Sequence, residues 1–260
     1  MSGTTSHTGP RDWNADVYDR VSGPQLSWGL EVIERLRLRG DETVLDAGCG
    51  SGRVTRALVD RLPRGHVIAV DASPSMAERA RAALPSERVT VLPPTDLAEL
   101  TLEEPVDAVF SNAVFHWLLD HDVLFARLFA ALRPGGVLVA QCGGEGNVAA
   151  LGVAMREIGE EPPFAEYLSG WRGAWNFSSL ERATRSLEQA GFENVQCGLE
   201  HKHVVPEDPR DYLETVTLGI HLERLPAELR PALVDRALEV LGAPLELDYV
   251  RLNIDARRPA

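Results

Sequence analysis

Along residues 41 to 142 the apolar positions switch between two periods, and the switching predicts strands and helices in alternation. Val44 and Leu45 end one short β-prone run. His66 to Val70 (HVIAV), Val89 to Leu92, Val106 to Phe110 (VDAVF) and Val137 to Cys142 (VLVAQC) make four more. Helical spacing separates them. It runs through Val54, Ala57, Leu58 and Leu62, then Met76, Ala80 and Leu84, then the apolar stretch Val123 to Leu132. Ser73 is placed to cap the second of these helices with Pro74 in its first turn, and Pro93 and Pro94 stop the third strand. Strands that alternate with helices imply a parallel sheet covered on both faces.

The flanks read differently. Residues 11 to 39 predict helical pieces, with Leu30, Ile33, Leu36 and Leu38 on one side and a stop at Gly40; Trp13 and Tyr18 precede them. After Gln141 the strand–helix alternation lapses until Ser178, which is expected to cap a helix with Glu181 as its capping-box partner and Gly191 at its end. A sixth strand follows over 194–205, two helices over 207–242, and a last strand over 245–258. Sustained interruptions at 147–175 and 207–242 predict a helical lid inserted into a core made of 41–146, 176–206 and 243–260, with 1–40 as a lead segment. No repeat of 20 to 50 residues is visible.

The stretch VLDAGCGSG, Val44 to Gly52, is where the pattern turns into chemistry. Asp46 stands at the tip of the first strand. Gly48, Gly50 and Gly52 then take the chain through a tight turn that leaves room for a ligand against backbone. Asp71 ends the second strand, 25 positions past Asp46, and an acidic tip there suits the two hydroxyls of a ribose. A nicotinamide dinucleotide and S-adenosylmethionine both use this unit. An acidic residue just ahead of the glycines fits an ammonium better than a pyrophosphate.

Composition narrows the field. Hydrophobic residues make up 44% of the 260, enough for a full core. The formal charge of −13 opposes nucleic-acid binding, which relies on Lys and Arg. No apolar run reaches the roughly 18 residues of a membrane span, and MSGTTSHTGP lacks the apolar segment of a secretory signal. Three cysteines without metal-ligand spacing (Cys49, Cys142 and Cys197) fit a reducing cytoplasm, and no metal is expected. No GxSxG, HExxH or Walker lysine motif is present.

VLDAGCGSG, then VIAVDASPSM, NAVFHWLLDH and LRPGGVLVAQ, together resemble the class I S-adenosylmethionine-dependent methyltransferases. Within them the sequence is similar to the group that includes trans-aconitate and juvenile-hormone-acid methyltransferases. The resemblance covers residues 13 to 142 and thins beyond. It implies a doubly wound, seven-stranded, mostly parallel sheet of Rossmann-like methyltransferase type with a helical lid. It also implies S-adenosylmethionine as cofactor. Asp46, Ala47, Gly48, Gly50 and Gly52 would border its methionine end, with Asn112 and Ala113 nearby. Asp71 would hold the ribose. Ala72, Met76, Thr95, Asp96 and Leu97 would border the adenine. Tyr18 would lie over cofactor and substrate. His116 and Trp117 would serve the acceptor, the indole N–H holding an acid group and His116 donating or acting as base; from the residues alone, a His beside a Trp is equally a packed pair.

From the residues themselves, Trp171, Arg172 and Trp175 suggest an aromatic slot for a flat or acidic substrate, or else the core of the insertion. Trp13 and Tyr18 either pack the lead segment onto the domain or, as the resemblance implies, belong to an aromatic lead that folds over cofactor and substrate. His221 reads as a packing residue. The expected reaction is O-methylation of a small molecule at a carboxylate or hydroxyl, by a monomer or homodimer. N- or C-methylation, a sensor that binds the cofactor without turnover, an NAD-linked oxidoreductase, and a nucleic-acid or protein methyltransferase remain open at this level.

Overall fold

The computed structural model describes Trp13, Arg20, residues 22–171, Gly173 and residues 175–260. Seven strands form one sheet in the order β3-β2-β1-β4-β5-β7-β6. They are β1 Thr43–Ala47, β2 His66–Val70, β3 Val89–Val91, β4 Val106–Asn112, β5 Leu132–Gly143, β6 Glu193–Val204 and β7 Leu247–Arg257. The pairs from β3 through β5 are parallel, and β7 runs antiparallel to both β5 and β6. The helices are α1 Gly23–Arg35, α2 Arg53–Asp60, α3 Pro74–Ala83, α4 His121–Ala131, α5 Ala149–Ile158, α6 Ala165–Leu168, α7 Leu180–Gln189, α8 Pro209–Tyr212, α9 Gly219–Glu223 and α10 Arg230–Leu241.

Strand periodicity sorts the core. Val44, Val67, Ala108, Phe110 and Val139 point to one face and pack with α1, α2 and α3. Leu45, Val109, Leu138 and Ile254 point to the other and pack with α4 and α7. A third cluster joins Trp28 of α1, the far ends of β6 and β7 (Val204, Leu247, Tyr249), α5 and α10. β6 and β7, at 12 and 11 residues, outrun the 5-residue β1 and β2, and their overhang carries the helices that follow β5 and β6. The strand order reverses between β1 and β4, which opens a crevice at the carboxyl tips of those two strands.

Three sequence expectations shift. The helix after the first insertion is capped by Ser179, whose hydroxyl accepts from the Arg182 N–H at 3.3 Å. Ser178 is buried instead, bridged to Gly144 as an extension of β5. Leu30 is 43% exposed; the buried face of α1 is Gln25, Trp28, Gly29, Val32 and Ile33, helical spacing that hides behind a polar residue and a glycine. Between Asp208 and Arg224 the expected single helix is broken by a π-turn at Leu213–Thr217.

Candidate active site

The glycine turn is held by main chain and side chain together. The N–H groups of Gly48 and Cys49 both donate to the Val70 carbonyl, at 2.8 and 2.9 Å, which pins the turn to the tip of β2. Gly48 has φ +94°, and a Cβ there would lie 2.2 Å from a methyl of Val114. Gly50 has φ +54° and open space where its Cβ would stand. One glycine is needed for packing, the other leaves backbone facing a cleft.

Asp46 is buried beside this turn and accepts from the Thr55 hydroxyl at 2.7 Å. Burial pushes its carboxyl up to about 7; the Thr55 hydrogen bond opposes the rise and the charge of Asp71 adds to it. Asp46 lines a cleft with the glycine turn, Arg53, Gln25 and Asn112. Asn112 Oδ1 and Gln25 Oε1 are buried there with no hydrogen-bond partner among the described residues. A carboxylate and two buried amide acceptors suit a ligand that brings several donors, as an ammonium does.

Asp71 is fully engaged with the turn. Its Oδ2 accepts from the Gly50 N–H and its Oδ1 from the Ser73 N–H, both at 2.9 Å. The carboxylate ties the glycine turn to the start of α3. Asp71→Ala strands two backbone donors as well as any ligand hydroxyl. Cofactor affinity is expected to fall by about 1–3 kcal/mol, read by calorimetry; an unchanged Kd removes Asp71 from the site.

On the same side, Thr95 N–H donates to the Asp71 carbonyl at 3.0 Å, which draws the tips of β2 and β3 together. Asp96 caps the short turn Leu97–Glu99 by accepting from the Ala98 N–H at 2.9 Å, so one of its oxygens does structural work. Leu97 and Met76 are buried, and Ala72 is half-buried.

A second cleft adjoins the first and shares Gln25 with it. Trp13, His116, Trp117, Trp175, Tyr249 and Arg251 line it, beside Ala113 and Val148. Ala113 (φ 62°) and Val148 (φ 45°) both hold a left-handed backbone that side chains disfavour, and both line this chamber. At Ala113 the strain turns the chain out of β4 into the short helical turn Phe115–Trp117. Asn176 fixes that turn from outside: its N–H donates to the His116 carbonyl at 2.9 Å, and its side chain donates to the Leu118 and Leu119 carbonyls.

His116 Nδ1 accepts from the Gly143 N–H at 3.2 Å, so in the neutral ring the proton sits on Nε2. Burial, then the charges of Arg251 and His121, hold it well below the usual imidazole range. The neutral ring therefore has its lone-pair nitrogen occupied by Gly143 and its proton on Nε2. The Trp117 ring lies tilted 4.9 Å from the imidazole and meets Trp13 edge-on at 5.5 Å. The backbone of Trp13 is tied to Ser73 and Ser75 at the start of α3, so this residue reaches from the start of α3 to the chamber.

The aromatic slot differs from the expected one. Trp175 lines the chamber, 6.4 Å from Trp117 and stacked on Phe177 at 5.4 Å. Trp171 does not line it; it packs against His221 at 4.9 Å under the Arg224 guanidinium. Both rings meet His221, Trp175 at 5.4 Å, but neither Trp171 nor 175–177 lies in a helix, and of the two only Trp175 reaches the chamber. Tyr18 and Arg172 lie outside the described residues. Gln25, Arg53 and Arg251 escaped the sequence reading. Arg251 sits in an apolar-polar strand pattern where an arginine reads as an outward residue; only the pairing of β7 between β5 and β6 puts it inside.

A sheet of this order, a glycine turn flanked by Asp46 and Asp71, and a second, aromatic-lined chamber adjoining the first define a class I S-adenosylmethionine-dependent methyltransferase. Residues 45–138 match the family model described as a methyltransferase domain. A trans-aconitate 2-methyltransferase of Methylobacterium radiotolerans is 39% identical over 130 residues, 50% of this chain and 49% of that one. The trans-aconitate 2-methyltransferase of Shigella flexneri serotype 5b is 31% identical over 257 residues, 95% of this chain and 98% of that one. Among solved structures, a phosphoethanolamine N-methyltransferase 2 of Haemonchus contortus shares the fold. It has a TM-score of 0.62 and 21% identity over 98% of this chain and 59% of that one, and was solved with phosphomonomethylethanolamine and S-adenosylhomocysteine. The chain belongs to the trans-aconitate methyltransferase group of this class, and its cofactor is S-adenosylmethionine. No described helix is long and apolar enough to cross a membrane.

Proposed function

We propose that this enzyme methylates an oxygen of a small carboxylic acid. The observation that carries the reading is His116. With Nδ1 occupied and its basicity suppressed, the ring offers a hydrogen bond and no general base. A hydroxyl or ammonium acceptor must lose a proton before or during attack. A carboxylate arrives ionised near neutral pH and asks only to be oriented. The relatives named for trans-aconitate support the same acceptor class.

S-adenosylmethionine, when bound, supplies a methyl already activated by its sulfonium. The residues suited to hold it are Asp46 and Asn112 for the ammonium, the Gly48–Gly50 backbone along the methionine, and Asp71 for the ribose. Ala72, Met76, Thr95 and Asp96 are our candidates beside the adenine. Gln25, shared by both clefts, marks where they meet. Trp117 and His116 orient the acceptor; Trp13, Trp175 and Phe177 exclude water. Such positioning contributes up to about 7–11 kcal/mol in favourable cases. The free thiols of Cys49, Cys142 and Cys197 suit a reducing, cytoplasmic setting.

Labelled methyl donor and a panel of acids, phenols and amines test the reading, with trans-aconitate among the acids. Base-labile ester products from acids are expected; transfer confined to phenols or amines refutes it. Trp117→Phe keeps a ring against Trp13 but loses the indole N–H. Turnover efficiency on the acid is expected to fall by about 10–100-fold, the scale of one hydrogen bond to a charged group, with cofactor Kd unchanged. Unaltered kinetics would return Trp117 to packing.

A further inference from the structure

The least expected group in the chamber is Arg251. Its side chain is 2% exposed, in the middle of β7. Burying a guanidinium inside a sheet is costly unless it serves a purpose. The surroundings hold it in one orientation. The guanidinium lies over the Trp28 ring at 4.6 Å, and Nε donates to Gln141 Oε1 at 3.3 Å. Gln141 Nε2 donates in turn to Asn253 Oδ1 at 2.9 Å, and Asn253 Nδ2 donates to Glu200 Oε2 at 3.3 Å. Each amide in this chain fixes the flip of the next, so Gln141 presents its oxygen to the arginine. Glu200, where the chain ends, is paired with Lys202 at 2.7 Å, which keeps that negative charge beside a surface lysine.

Arg251 pairs with Gly143 across β5 and β7, and the same Gly143 donates to His116. The cation therefore stands beside the donors that orient the acceptor, on the wall of the same chamber. A planar fork of N–H donors matches a carboxylate.

The charge balance of the reaction says which carboxylate. The oxygen that takes the methyl forms a C–O bond as the C–S bond breaks. Its carboxylate passes from anion to neutral ester, while the sulfonium becomes a neutral thioether. A fixed cation on that carboxylate would favour the starting anion over the transition state and slow transfer. A cation on a carboxylate that stays ionised throughout binds ground and transition states alike.

We propose that Arg251, oriented by Gln141 and Asn253, holds a carboxylate of the acceptor that is not methylated, and thereby selects acids with at least two carboxylates. The proposal rests on the carboxylate reading above.

The test compares trans-aconitate with analogues in which one carboxylate at a time is replaced by a carboxamide. In the wild-type enzyme, one analogue should remain a substrate with its KM raised by about 10–100-fold. Arg251→Met should raise the KM for trans-aconitate by a similar factor and erase its advantage over that analogue, with calorimetric cofactor affinity retained. Gln141→Glu sets a competing carboxylate 3.3 Å from Nε and should give the same signature in a chain that keeps its arginine. Should either variant fail to fold, the wild-type comparison alone decides. Equal KM for the acid and every reactive analogue overturns the proposal, as does a variant that keeps the preference; either result leaves the carboxylate reading standing. Wild-type enzyme that methylates no acid refutes both.

Discussion

Asp46→Asn is expected to make the unliganded protein more heat-stable while weakening its grip on S-adenosylmethionine. The carboxyl of Asp46 is pushed from about 3.8 when exposed up to about 7 in the folded chain. Between these values the folded state holds a proton that the unfolded state has released. Stability therefore falls as pH rises from about 4 to 7, and above 7 the whole penalty is present. The shift corresponds to a few kcal/mol, and at two to four degrees per kcal/mol for a chain of this size the asparagine variant should melt at least about 5 °C higher at pH 8. At pH 4 the two proteins should melt together. Binding carries the opposite sign. A ligand ammonium favours the ionised form, so wild-type affinity should rise about tenfold from pH 6 to pH 8 as the free-state carboxyl ionises. The asparagine variant should bind weakly with a flat profile. Calorimetry across that range checks it; a wild-type Kd independent of pH removes Asp46 from ammonium binding.

Gly48→Ala is expected to cost roughly 3–5 kcal/mol and to abolish cofactor binding. Two effects add. At φ +94° an alanine meets the left-handed backbone penalty, about 1–2 kcal/mol. Its Cβ also falls 2.2 Å from Val114 Cγ2, and Val114 cannot retreat because Ala113 beside it is already held at φ 62°. The clash is separable by experiment. Val114→Ala in the Gly48→Ala background should recover the steric share and leave the backbone share of about 1–2 kcal/mol. Full recovery by the second change would mean that the backbone at Gly48 carries no strain. No loss from the first would place the turn elsewhere than against Val114.

The residues we assign to the cofactor stand out in the sequence because they are local. Asp46 and the glycines occupy one turn, and Asp71 closes the next strand; the pairing of Asp71 with Gly50 and Ser73 only tightens what their order already implies. The acceptor half was legible in part. His116 and Trp117 are neighbours in sequence and in space, but the donor role of His116 depends on Gly143, far along the chain, and on burial. Trp171 shows the opposite failure. A four-residue spacing suggests a shared face only within a helix, and neither Trp171 nor Trp175 lies in one, so one tryptophan reaches the chamber and the other does not.

By itself the sequence determined the alternation of strand and helix, the acidic and glycine positions at two strand tips, and hence the class of cofactor. These follow from local periodicity and from the few residue types that a tight turn tolerates. Only the tertiary structure decided the burial of Asp46, the Gly143 hydrogen bond to His116 and the presence of Arg251 in the chamber. Each of those depends on how much water a group has lost and on which distant backbone or amide it meets. Burial and long-range pairing belong to the folded sheet, and no window of neighbouring residues contains them.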